Sequence, residues 1–248
     1  EEFGIYLRME GLLQLMRSQY QLARATLQRS IDTLRALDPS DDGRYAINIA
    51  GAYNYIAESY RLEGNYDRAF LTYDQAIIYN RSRGYYPGAA VFYTNYGVAS
   101  FQKGETAIAR QLFGYALETY QAAHEYSGRP IALSYLAFFE AREGRYAQAA
   151  AYIREAHQVS DQIGSPWWKG ITLYQGWKIR ALLKERGVQA PEFQGLWPDE
   201  ARAHCPQWPG CLHRLQPLPD TPKRLETLEM EEALRQLEGG AASPSPES

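Results

Sequence analysis

The chain has 248 residues, 45% of them hydrophobic and 22% charged, which is the composition of a globular protein long enough to bury a large core. Its net charge of −3 and the lack of any run of Lys and Arg leave no phosphate-binding stripe, which argues against nucleic acid, and no stretch reaches the roughly 18 to 20 apolar residues of a membrane span. Two cysteines cannot supply a disulfide scaffold, so the cytosol is the expected compartment.

The opening "EEFGIYLRME" starts acidic and reads as helix, not as a signal peptide. The lack of an initiating Met gives the expectation that the chain is a piece of a longer protein. Apolar periodicity and turn residues predict helices near 3–17, 20–36, 44–63, 66–82, 87–103, 106–125, 130–143, 146–162 and 166–186. Pro87, Pro130 and Pro166 open three of them, because the missing N–H is harmless in a first turn, and Ser165 is a candidate N-cap.

These helices repeat. Ala57, Gly97 and Ala137 lie 40 residues apart, and each is followed at the same offsets by Gly64, Gly104 and Gly144, by Ala69, Ala109 and Ala149, and by Ala76, Ala116 and Ala156. An earlier copy puts Gly11, Ser18, Tyr20, Ala23, Leu27 and Ser30 on the same grid, with Glu10 at an expected apolar position. The loop "DPSDDG", residues 38–43, accounts for most of its wider spacing. A fifth, truncated copy begins at Ser165. A period of this length marks stacked helical hairpins, each burying its apolar face against its neighbours.

The pattern resembles the tetratricopeptide repeat, most closely in "AESYRLEGNYDRAFLTYDQAI" and "AFFEAREGRYAQAAAYIREAH". The resemblance implies an all-α, right-handed α-α superhelix over 1–187, with copies near 3–36, 44–82, 87–125 and 130–162 and a partial one at 166–187. The longer repeat is similar to the arrays of bacterial signal-transduction ATPases, maltose-regulator-type transcription factors, caspase-like protease-associated proteins and kinesin light chains. No helix-turn-helix, P-loop or protease motif is present, so an effector would lie outside these residues.

In such arrays the first helix of each hairpin lines a concave groove. The resemblance then assigns to it Arg8, Leu12 and Leu15; Asn54, Glu58 and Arg61; Thr94, Val98 and Phe101, with Asn95 beside them; and Ser134, Phe138 and Ala141. Asn54 and Asn95 resemble the groove asparagines that bond a ligand backbone, whereas the Lys and Arg set that grips a terminal carboxylate in chaperone-binding members is missing. Read as residues alone, these positions are equally ordinary solvated helix sites. Tyr53 and Tyr93, at equivalent positions, either pack between hairpins or line the groove.

Residues 188–220 carry six prolines and form a loop; 221–238 read as a helix with Leu225, Leu228, Met230, Ala233, Leu234 and Leu237 on one face; 239–248 form a low-complexity tail. That helix would cap the array or dock on a partner. In "AHCPQWPGCLH", His204, Cys205, Cys211 and His213 compose a zinc ligand set, but adjacent His204 and Cys205 chelate one ion poorly and Cys-x5-Cys exceeds the usual knuckle. Zinc, a local disulfide and free thiols all remain open there, and the site would be structural in each case.

Catalysis finds no motif: no GxSxG, HExxH, Walker or dinucleotide pattern occurs. His124 and His157 fall near helix C-termini, where a cation is favoured, and read as surface or interhelix residues. The sequence therefore points to a non-enzymatic protein- or peptide-binding scaffold or sensor, part of a larger bacterial regulator, with no cofactor and no contact with membrane. The alternative is an accessory interaction domain of an enzyme whose catalytic part lies elsewhere, with the Cys/His loop as a metal site.

Overall fold

The computed structural model describes residues 1–196 apart from 41, 85, 125–127 and 165. Its helices are α1 (Glu2–Met16), α2 (Tyr20–Ala36), α3 (Ala46–Leu62), α4 (Tyr66–Ser82), α5 (Tyr86–Lys103), α6 (Thr106–Ala122), α7 (Arg129–Arg142), α8 (Tyr146–Ile163) and α9 (Pro166–Glu185), followed by a 3-10 turn at Pro191–Phe193. No strand occurs among the described residues, and the fold is all-α, built of stacked helical hairpins. They fall into two compact units, 1–132 and 133–196 within the described part, with the break inside α7. The expected helix at 221–238, the tail and the Cys/His cluster lie outside the described residues.

The hairpin turns follow from glycine. Gly64, Gly104 and Gly144 have φ of 78°, 94° and 78°, a left-handed backbone that only glycine adopts without a Cβ penalty. It lets the next residue's N–H reach back five residues: Asn65 to Tyr60 O at 2.9 Å, Glu105 to Ser100 O at 2.8 Å and Arg145 to Glu140 O at 2.9 Å. The first copy makes the same turn with Ser18 at φ 59°, and Gln19 N–H reaches Gln14 O at 2.9 Å. Two boundaries shift by more than one residue from those expected. The helix expected at 106–125 ends at Ala122 because His124 takes the left-handed conformation, and α3 starts two residues late because Arg44 N–H is held by Asp42 Oδ1 at 3.0 Å.

The small residues are where helices cross. Ala57, Ala69, Ala76, Ala109, Ala116, Ala137, Ala149 and Ala156 are all fully buried. A Cβ on Gly97 would stand 2.9 Å from the Phe113 ring, and one on Gly11 would stand 2.5 Å from Leu27 Cγ, so at these crossings one helix lies on the bare backbone of the other. Ser30 replaces the last Ala in the first copy because its hydroxyl donates to Gly4 O at 2.6 Å. Around this frame unit 1 buries Leu15, Leu27, Ile31, Leu34 and Ile49, and unit 2 buries Ile153, Ile179, Leu183 and Phe193. Each such side chain contributes about 1.5–3 kcal/mol of transfer free energy.

Candidate functional site

In unit 1 the first helices of three hairpins, α1, α3 and α5, bring most of the groove candidates together. Asn95 Nδ2 on α5 donates to Asn54 Oδ1 on α3 at 3.0 Å. The two amides thus form one dyad instead of two separate groups. Its remaining groups are a donor, Asn54 Nδ2, and an acceptor, Asn95 Oδ1, which together match the C=O and N–H of a peptide unit.

Glu58 and Arg61 are occupied by the fold. Arg61 is 6% exposed and grips Glu58 with two hydrogen bonds, Nε to Oε1 at 3.0 Å and Nη2 to Oε2 at 2.8 Å. Its Nη1 also donates to Gln102 Oε1 on α5 at 2.9 Å. Tyr73 of α4 donates its hydroxyl to Glu58; burial first, and the Glu58 charge second, push that phenol well above its ordinary range and keep it a donor. This network joins α3, α4 and α5. It is a buried ion pair with its hydrogen bonds made, and little of it faces solvent.

Thr94, at the α5 position equivalent to Asn54, is 1% exposed and donates to Ala90 O at 2.8 Å. The expected groove position is interior there, because the turn-to-turn hydrogen bond draws the hydroxyl onto its own helix. Val98 is buried and Phe101 partly so. In unit 2, Ser134 is fully buried, while Phe138 is partly exposed and carries Lys178 Nζ 4.9 Å above its ring. Tyr53 and Tyr93 pack between hairpins: Arg35 bonds the Tyr53 hydroxyl at 2.9 Å and Arg81 that of Tyr93 at 3.4 Å, with Tyr79 and Tyr115 against the two rings.

Arg8, the first-copy equivalent of Asn54, is partly exposed and its Nε is buried without a partner. It borders a cavity of about 210 Å³ between α1, α3, α4 and α5, where Asn54, Asn80 and Gly88 also lie. Asn80 is 0% exposed, and neither its Oδ1 nor its Nδ2 has a hydrogen-bond partner. The spacing argument missed it because Asn80 sits on a second helix, outside the groove pattern. The signal that could have found it is the 40-residue register itself, in which Asn80 stands where the next copy has Tyr120.

His157 of α8 is half-buried in unit 2: desolvation lowers it to about 4, with Asp161 opposing and Lys169 adding to that shift, so it is neutral and favours no helix dipole. Among the described residues no helix is long and apolar enough to cross a membrane, and no three metal-ligating side chains come together.

No family model matches the chain, and no curated protein sequence matches it. Solved structures do. The apo form of RapI is similar at 14% identity with a TM-score of 0.59, covering 96% of this chain and 85% of that one. The Rap conjugation gene regulator of plasmid pLS20, solved in complex with the Phr* peptide, is similar at 14% identity with a TM-score of 0.62, covering all of this chain and 66% of that one. At that identity the likeness establishes a shared helical-repeat fold.

Proposed function

We propose that the chain is a non-enzymatic, tetratricopeptide-type module that binds an extended peptide or protein segment, as the sensing part of a bacterial regulator. The observation that carries this reading is the Asn54–Asn95 dyad: two amides on neighbouring first helices, bonded to each other, Asn54 buried and Asn95 half-buried, whose second donor and second acceptor have the chemistry to pair with a ligand backbone. The fold shared with a regulator solved with its peptide supports it. Tyr55 and Phe101 supply aromatic area on the same helices, suited to covering ligand side chains. Glu58 and Arg61 hold the helices that carry the dyad, and Arg8, partly exposed on α1, remains a candidate contact.

The test is a fixed library of synthetic hexapeptides screened against the purified chain, with the affinities of the retained members measured beside melting temperature. Asn54→Ala with Asn95→Ala is expected to weaken binding by about 1–3 kcal/mol, because a desolvated backbone group on the ligand loses its partner, and to leave melting nearly unchanged. Binding that is untouched by the double substitution would remove the dyad from the site.

A further inference from the structure

We propose that the exposed apolar stripe of α1 is the contact through which two copies of this chain pair, with the two α1 helices antiparallel across a two-fold axis. Peptide binding at the Asn54–Asn95 face neither requires this contact nor follows from it.

The stripe follows from where α1 stands in the stack. Phe3, Tyr6, Met9, Leu13 and Met16 recur at three- and four-residue steps along one face of the helix, and each is 44 to 60% exposed. The opposite face, with Gly4, Leu7, Gly11 and Leu15, is buried where α1 packs on α2 and α3. On α3 and α5 the positions matching Phe3, Tyr6 and Leu13 are Ile49, Ala52 and Ser59, and Ala89, Phe92 and Ala99. All six are buried, because α3 packs on α2 and α5 on α4, the second helices of the preceding hairpins. Among the described residues no helix stands in that place against α1, so a continuous row of large apolar side chains meets water there, the mark of an interaction surface.

The order of residues along the stripe points to its occupant. Glu2 and Arg17, Phe3 and Met16, and Tyr6 and Leu13 lie equally far from the midpoint between Met9 and Glu10. A second α1 turned end for end therefore sets Glu2 and Phe3 of each copy against Met16 and Arg17 of the other, and Tyr6 against Leu13, so the surface is complementary to itself. Glu2 and Arg17 are exposed, and neither has an ion-pair partner among the described residues. The antiparallel contact thus closes with opposite charges at each end. A parallel contact would set Glu2 on Glu2 and Arg17 on Arg17, and would align the two helix dipoles unfavourably. Glu10, at the rim of the midpoint, accepts from Gln14 Nε2 at 3.3 Å and approaches its twin across the axis, which weakens the contact. With roughly 100 Å² exposed on each of the five apolar side chains, pairing buries about 1,000 Å², the low end for a specific interface. Association on the order of 10–100 μM is therefore expected.

The experiment is sedimentation of the purified chain from about 1 to about 200 μM, a range that brackets a contact of this size, with reductant present to keep Cys205 and Cys211 from bridging copies. The weight-average mass is expected to climb from 28.2 kDa towards twice that value. Tyr6→Glu with Leu13→Glu, both at exposed positions, should weaken association at least about tenfold, with circular dichroism and melting close to the parent's. Glu2→Arg and Arg17→Glu should each weaken it about threefold to tenfold alone, since either change makes both ends of the contact like-charged. An equimolar mixture of those two variants should associate as the parent does, because every end then meets its opposite. If a charge variant loses helix content, the Tyr6 and Leu13 variant decides alone. A chain that stays monomeric throughout overturns the proposal, as does association that survives Tyr6→Glu with Leu13→Glu or that mixing fails to restore. Loss of association on Leu228→Glu with Leu234→Glu would give the stripe to residues 221–238 and overturn it as well.

Discussion

His157 shows how a single titratable residue comes to depend on pH through packing. Its side chain is half-buried in unit 2, with Nε2 inaccessible and unpartnered, and desolvation lowers it from the ordinary 6.5 to about 4. The unfolded chain therefore binds a proton between these values that the folded chain does not, so stability is complete above pH 6.5 and is lost as pH falls through that window. The full difference corresponds to about 3 kcal/mol. Other groups titrate in the same range, so the informative readout is a comparison: denaturant unfolding of the parent and of His157→Leu at pH 7.5 and pH 4.5. The parent is expected to lose about 2–3 kcal/mol more than the variant on acidification. Parallel losses in the two proteins would show that the imidazole reaches solvent.

At the scale of the element, the turns inside the hairpins divide into those made by glycine and one that is not. Ser18 holds φ 59° at the position where later copies have Gly64, Gly104 and Gly144, and a left-handed backbone costs an L residue about 1–2 kcal/mol. Ser18→Gly is expected to raise stability by about 0.5–1 kcal/mol, the penalty relieved less the added freedom of the unfolded chain, whereas Gly144→Ala should lower it by a similar amount. Thermal or denaturant unfolding checks both, and a destabilised Ser18→Gly would mean the hydroxyl has a role the turn does not reveal. The same punctuation explains what was legible in the sequence. Glycines at fixed offsets, prolines in first turns and the small residues at crossings mark helices and hairpins within one to three residues, because each of these is a local backbone requirement. The site was less legible. Spacing says which face of a helix a residue occupies but not which neighbour consumes its hydrogen bonds: Thr94 turns onto Ala90 O and Arg61 is taken by Glu58 and Gln102. Asn80 escaped because its meaning is the missing volume of a tyrosine present only in the next copy.

Across the whole molecule, stability in stacked hairpins is a sum of local and nearest-neighbour terms, so damage should stay near where it is made. The Glu58–Arg61 pair tests this, since Arg61 ties α3 to Gln102 of α5 and anchors the carboxylate that also holds Tyr73 of α4. In Arg61→Met the Glu58 carboxylate keeps its buried place and loses its cation, a change that costs about 3 kcal/mol or more. Glu58→Gln with Arg61→Met removes the charge as well and should recover part of that loss. Native-state hydrogen exchange gives the spatial answer. Amides of α3, α4 and α5 are expected to lose protection in Arg61→Met by roughly the cost of the substitution, while those in the middle of α8 and α9 keep the parent's rates, because Glu58, Gln102 and the Tyr73 that Glu58 holds all belong to unit 1. A uniform drop across all helices would mean that the chain opens as one cooperative body, and that the repeats are coupled more tightly than nearest-neighbour stacking requires.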